Sequence, residues 1–132
     1  MRHILQPKGS WYCGHCSMAM VLDDTMDNVI VTMGTYYEKE KGGATISMKT
    51  AELDRRGVSY SVNNSVDNRR KIDLDGKGIV CIAKGRRFAH AMAFEGGKIY
   101  DPEGEVFESV KDMKRTYKGS RVYSVIKIEE EL

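Results

Sequence analysis

The apolar residues of this chain change their spacing near Gly57, and that switch constrains the fold more than any other feature. Before it, the segments have helical patterns. CGHCSMAMVL, residues 13–22, is short and apolar on nearly every face, so it is expected to be buried. Thr25 followed by MDNVIVTM reads as a capped helix that stops near Gly34. Thr45 or Ser47 heads ISMKTAELDRR, where Ile46, Met48 and Leu53 form an incomplete apolar stripe and Gly57 supplies a stop. Beyond Gly57 the runs VSYSV, GIVCIA, FAHAMAF, KIY and RVYSVIKI are strand-like and separated by turn residues. ESVKDMKRTY, before the last of them, fits a short amphipathic helix with Val110 and Met113 inward. No strand–helix–strand alternation appears. The pattern predicts an α+β fold, N-terminal helices packed on an antiparallel meander, and 132 residues suit a single domain spanning 1–132.

Charge and composition exclude several classes. A formal net charge of +2, with basic residues gathered only at Arg69-Arg70-Lys71 and Arg86-Arg87, gives no nucleic-acid surface. Apolar runs fall well short of the roughly 20 residues that span a bilayer, so no membrane partner is expected. MRHILQPKGS lacks the apolar segment of a signal peptide. The three cysteines form no disulfide framework, and a cytoplasmic location is the expectation.

The stretch GSWYCGHCSMAM, residues 9–20, allows three chemistries. A redox CxxC follows a strand of a thioredoxin-like sheet and faces a cis-proline. Here only twelve residues precede Cys13, and no proline lies between Lys8 and Asp101. Zinc would need Cys13, Cys16, Cys81 and His90, whose second half has no compact ligand spacing. A cysteine hydrolase needs a thiolate, a base, a group to orient that base and oxyanion donors. Cys13 at the head of an apolar helix has its thiolate favoured by the helix dipole. His90 lies on a strand with Phe88, Met92 and Phe94 on its own face and small alanines on the other. A Gly96-Gly97 turn brings Asp101 back toward His90, where it can fix the imidazole tautomer. Gln6 offers a side-chain NH2 to the oxyanion beside the Cys13 backbone N–H. Alone, each of these residues has an ordinary structural role; their order is what points to catalysis.

Gln6, then Cys13-Gly14, then Met18-Ala19-Met20, then His90 in an apolar strand and Asp101-Pro102, resembles the papain-like cysteine peptidase clan. The likeness is nearest to the bacteriocin-processing (double-glycine leader) peptidases, and LDRRGVSYSV is similar to their helix–glycine–strand segment. The Gln6–Cys13 gap is one residue longer than the family's, and the His90–Asp101 gap is several shorter, implying a tighter hairpin. In plain papain-type enzymes a CGxC stretch carries the nucleophile at its second cysteine. That register would leave Gln6 ten positions upstream, so the resemblance assigns the nucleophile to Cys13 and leaves Cys16 as a core residue. It implies a papain-like α+β fold with Cys13, His90, Asp101 and Gln6 as catalytic residues. The implied activity is hydrolysis of a peptide or isopeptide bond in a peptide or protein substrate, with no cofactor and no metal. The alternatives are a non-catalytic protein-binding module on the same scaffold, a CxxC oxidoreductase or a zinc-binding domain.

Overall fold

The computed structural model describes residues 1–38, 41–64, 72–86 and 88–129. The basic cluster at 69–71 and Arg87 lie outside the described residues. Three helices come first: α1 (Cys13–Leu22), α2 (Met26–Met33) and α3 (Ile46–Arg55). Strands β1 (Tyr60–Asn63), β2 (Lys77–Lys84), β3 (Phe88–Glu95), β4 (Lys98–Tyr100) and β5 (Val106–Phe107) follow. Helix α4 (Val110–Thr116) and strand β6 (Arg121–Ile128) complete the fold. The α+β architecture is the one expected.

Local chemistry explains the helix boundaries. Thr25 Oγ1 accepts from the Asn28 N–H, and Gly34, with φ of 76°, ends α2. Thr45 rather than Ser47 caps α3, its hydroxyl accepting from the Met48 N–H. Ser109 does the same for α4. No side chain caps α1 at its N-cap residue Tyr12. The backbone N–H groups of its first turn therefore stay available to a ligand or a thiolate.

The sheet order is β1-β6-β2-β3-β4-β5, all antiparallel. This corrects the expected simple meander. β6 returns from the chain end and inserts between β1 and β2, where Ile126 joins one core and Val122 and Val125 join the other. The short β5 also escapes the sequence pattern, since two residues carry no period. One core joins α1–α3 to the alanine face of β3, with Met18, Ala19, Leu53, Ala91 and Ala93 buried together. The other face packs Met92, Phe94, Phe107 and Met113 under α4. Small alanines let α1 approach the strand closely.

Gly78 in β2 is set by that packing. A Cβ there would sit 2.0 Å from the Ile126 carbonyl oxygen and 2.7 Å from Phe94 Cζ. We expect Gly78→Ala to cost about 3 kcal/mol, lowering the unfolding midpoint by roughly 10 °C. An unchanged midpoint in thermal unfolding would contradict this packing.

Candidate active site

The β3–β4 hairpin brings two of the expected residues together. Gly96 and Gly97, with φ of 60° and 86°, make a tight turn whose conformation favours glycine. The resulting register pairs Ala93 with Tyr100. One further step sets Asp101 opposite Met92, diagonal to His90 and on its face of the sheet. The His90 Nε2–H donates to Asp101 Oδ1 at 2.7 Å, with the two side chains 7% and 2% exposed. Asp101 is held on every side. The Glu103 N–H donates to Oδ1 at 2.9 Å, the Tyr117 hydroxyl donates to Oδ2, and the Asp101 N–H reaches the Glu105 carbonyl.

β4 pairs only with Ala93–Glu95, so the earlier half of that β3 edge has no strand partner among the described residues. The head of α1 meets β3 there. The Cys13 thiol is in hydrogen-bond contact with His90, and the Ala91 backbone N–H also donates to it. Because Nε2 is taken by Asp101, Nδ1 is the ring nitrogen left for Cys13. Burial by itself would raise the Cys13 pKa. The His90 hydrogen bond and charge, the Ala91 N–H and the Lys49 ammonium outweigh it and bring the thiol below its ordinary value. For His90, burial disfavours the cation, yet the Asp101 and Cys13 partners push its pKa well above the usual imidazole range. Burial would likewise raise the Asp101 pKa, but its His90, Tyr117 and Glu103 partners hold it down. The coupled pair is therefore poised as thiolate and imidazolium.

The other cysteines differ. Cys16 is fully buried, points its thiol at Met26 Sδ 3.4 Å away, and burial together with the Cys13 charge pushes it up to about 12. Burial raises Cys81 in the middle of β2 as well. A fully buried Cys16 has no access to an exchanging disulfide. No group of three or more His, Cys, Asp or Glu side chains spaced to hold a metal occurs among the described residues.

Gln6 lies along the Asp101-Pro102 turn, its backbone N–H donating to the Pro102 carbonyl at 2.9 Å. One of its amide N–H groups donates to the Ser10 carbonyl at 2.7 Å, and the buried Oε1 has no partner among the described residues. A cleft of about 370 Å³ opens beside Cys13, walled by Trp11, Tyr36, Tyr37, Thr45, Arg86 and Ala89. A larger hollow of about 620 Å³ between Leu74 and α4 contains none of these groups.

Several participants carried no sequence signal. Tyr117 stacks on Phe88 at 5.8 Å and tilts against His90 at 5.5 Å, and only the folded chain places its hydroxyl on Asp101. His3, near the chain start, bonds the Asp101 carbonyl through Nε2 at 2.6 Å. His15, within the CxxC spacing, is fully buried and bonds the Gly34 carbonyl at 2.6 Å. Burial disfavours its protonation.

No family model matches the chain, and no curated protein matches it. Among solved structures, it is similar to the peptidase domain of Streptococcus ComA, a bi-functional ABC transporter involved in a quorum-sensing pathway. That likeness has a TM-score of 0.66 at 13% identity and covers 98% of both chains. The chain thus has a papain-like α+β fold, that of a peptidase domain. No helix among the described residues is long and apolar enough to cross a membrane.

Proposed function

We propose that this protein is a cysteine peptidase that cleaves an amide bond in a peptide or protein through a thioester on Cys13. One observation carries the reading: of the three cysteines, only Cys13 is partly exposed, bonded to a histidine and lowered in pKa, and that histidine is oriented by a buried carboxylate. Sharing its fold with a peptidase domain supports the same reading.

The chemistry follows from the contacts. The Cys13 thiolate attacks the substrate carbonyl carbon, and its negative charge moves to the carbonyl oxygen. The uncapped first turn of α1, together with the second amide N–H of Gln6, supplies donors for that oxyanion. As the carbon–nitrogen bond breaks, the Nδ1 proton of His90 passes to the departing amine. Neutral His90 then takes a proton from water, which attacks the thioester and releases the acid and the thiolate. Asp101, fixed by Tyr117 and Glu103, keeps the ring turned so that Nδ1 serves both steps. The substrate is an extended peptide segment lying in the aromatic-walled cleft, and the reaction proceeds in the cytoplasm.

Incubating the protein with a mixed peptide library and quenching in acid tests this directly. We expect intact-mass increments equal to acyl fragments on Cys13, with complementary amine fragments in solution. Binding of peptides with no acyl mass and no fragments would instead support the non-catalytic module.

A further inference from the structure

Helix α3 buries two charged residues, and they are treated very differently. Glu52 is fully buried but accepts from the Thr32 hydroxyl and from the guanidinium groups of Arg55 and Arg56. Lys49, one turn earlier and only 3% exposed, has a single hydrogen bond among the described residues, from Nζ to the Ala44 carbonyl at 3.1 Å. No carboxylate lies within ion-pair distance of it among the described residues. A buried ammonium with no counter-charge is costly and rarely persists without a reason.

Its position supplies the reason. The end of the Lys49 side chain is pressed against the first turn of α1. A Cβ added at Gly14 would lie 3.0 Å from Lys49 Cε and 3.4 Å from Nζ, with Ala44 Cβ at 3.1 Å. Gly14, the residue after the nucleophile, is therefore what admits the lysine. A cation beside the positive end of a helix is repelled by it, unless an anion sits between them. The Cys13 sulfur is the anion available there. Resting on the peptidase reading above, we propose that Lys49 is a positioning residue for the nucleophile, a fixed internal cation that balances the charge of the Cys13 thiolate.

The groups facing the sulfur can be separated. His90 approaches from β3, Lys49 from α3, Cys16 from α1 itself, Cys81 from β2 and Tyr123 from β6. Burial keeps Cys16, Cys81 and Tyr123 protonated through the neutral range, the first and last up to about 12. His15, which the Lys49 charge also helps keep neutral, adds no cation. Among the described residues, His90 and Lys49 are the cations whose charge lowers the Cys13 thiol, while Arg86 lines the open cleft beside it.

The test is the pH profile of iodoacetamide alkylation at Cys13, read by peptide mapping, in the wild type, Lys49→Met, His90→Ala and the double variant. We expect Lys49→Met to raise the midpoint by about one pH unit, so that alkylation on the acid limb falls about tenfold, with or without His90. Should Lys49→Met fail to fold, Lys49→Gln reads the same midpoint while keeping a donor for the Ala44 carbonyl. Fast wild-type labelling with an unmoved midpoint in the Lys49 variants overturns this inference alone. Slow labelling of Cys13 in the wild type overturns the peptidase reading and this inference with it.

Discussion

Cys13→Ala should remove peptide cleavage altogether, a loss of about a million-fold because no thioester can form, while Cys16→Ala should keep most of it. The asymmetry follows from geometry. Cys13 sits at the partly exposed end of α1, facing His90 and the Ala91 N–H. Cys16, one turn on, faces Met26 inside the core with its thiol raised to about 12. Its truncation should cost only about 1 kcal/mol of stability from the small cavity left behind. Initial rates on one cleaved peptide, with unfolding midpoints for both variants, check this. Equal loss in the two would show that both thiols are used, and would return the redox and zinc readings to contention.

His90→Ala should lower kcat by about 10,000-fold, and its effect on pH dependence is as informative as its size. Cys13 is held below its ordinary value, so the thiolate is lost as pH falls through that lowered pKa. His90 is held above its ordinary 6.5, up to about 10, so the imidazolium is lost as pH rises through that value. The wild-type profile should therefore be a broad bell, its alkaline limb near pH 10, where no proton is left for the leaving amine. The same signs apply to stability. The Cys13 contribution is present above its unfolded pKa and fades on acidification; the His90 contribution is complete below 6.5 and fades toward pH 10. Removing His90 should abolish the alkaline limb and move the acid limb upward. A residual activity with an unchanged bell would assign the titration to other groups.

Much of this was legible in the residues. The apolar run from Cys13, the Thr25 and Thr45 caps and the Gly96-Gly97 turn are local signals, and local chemistry decided those elements. The hairpin register that sets Asp101 diagonal to His90 follows from that turn. What sequence could not supply was non-local. The insertion of β6 between β1 and β2 is decided by which faces remain uncovered once all elements exist. Tyr117 reaches Asp101 only because α4 folds under the sheet. Lys49 was hidden by its type. In ISMKTAELDRR, Lys49, Glu52 and Leu53 share the buried face, so the apolar stripe looked incomplete when two charged residues were part of it. Charges at core-facing helical positions were the readable clue.

Catalysis by Cys13 requires an anionic sulfur at the head of α1 under near-neutral conditions. Its most direct measurement is site-resolved iodoacetamide labelling of the native wild-type protein at pH 6, with all three cysteines quantified in one sample. The prediction is rapid modification at Cys13, little at Cys16 or Cys81, and loss of the advantage in His90→Ala. Three thiols labelling at one slow rate, unaffected by His90, would contradict it.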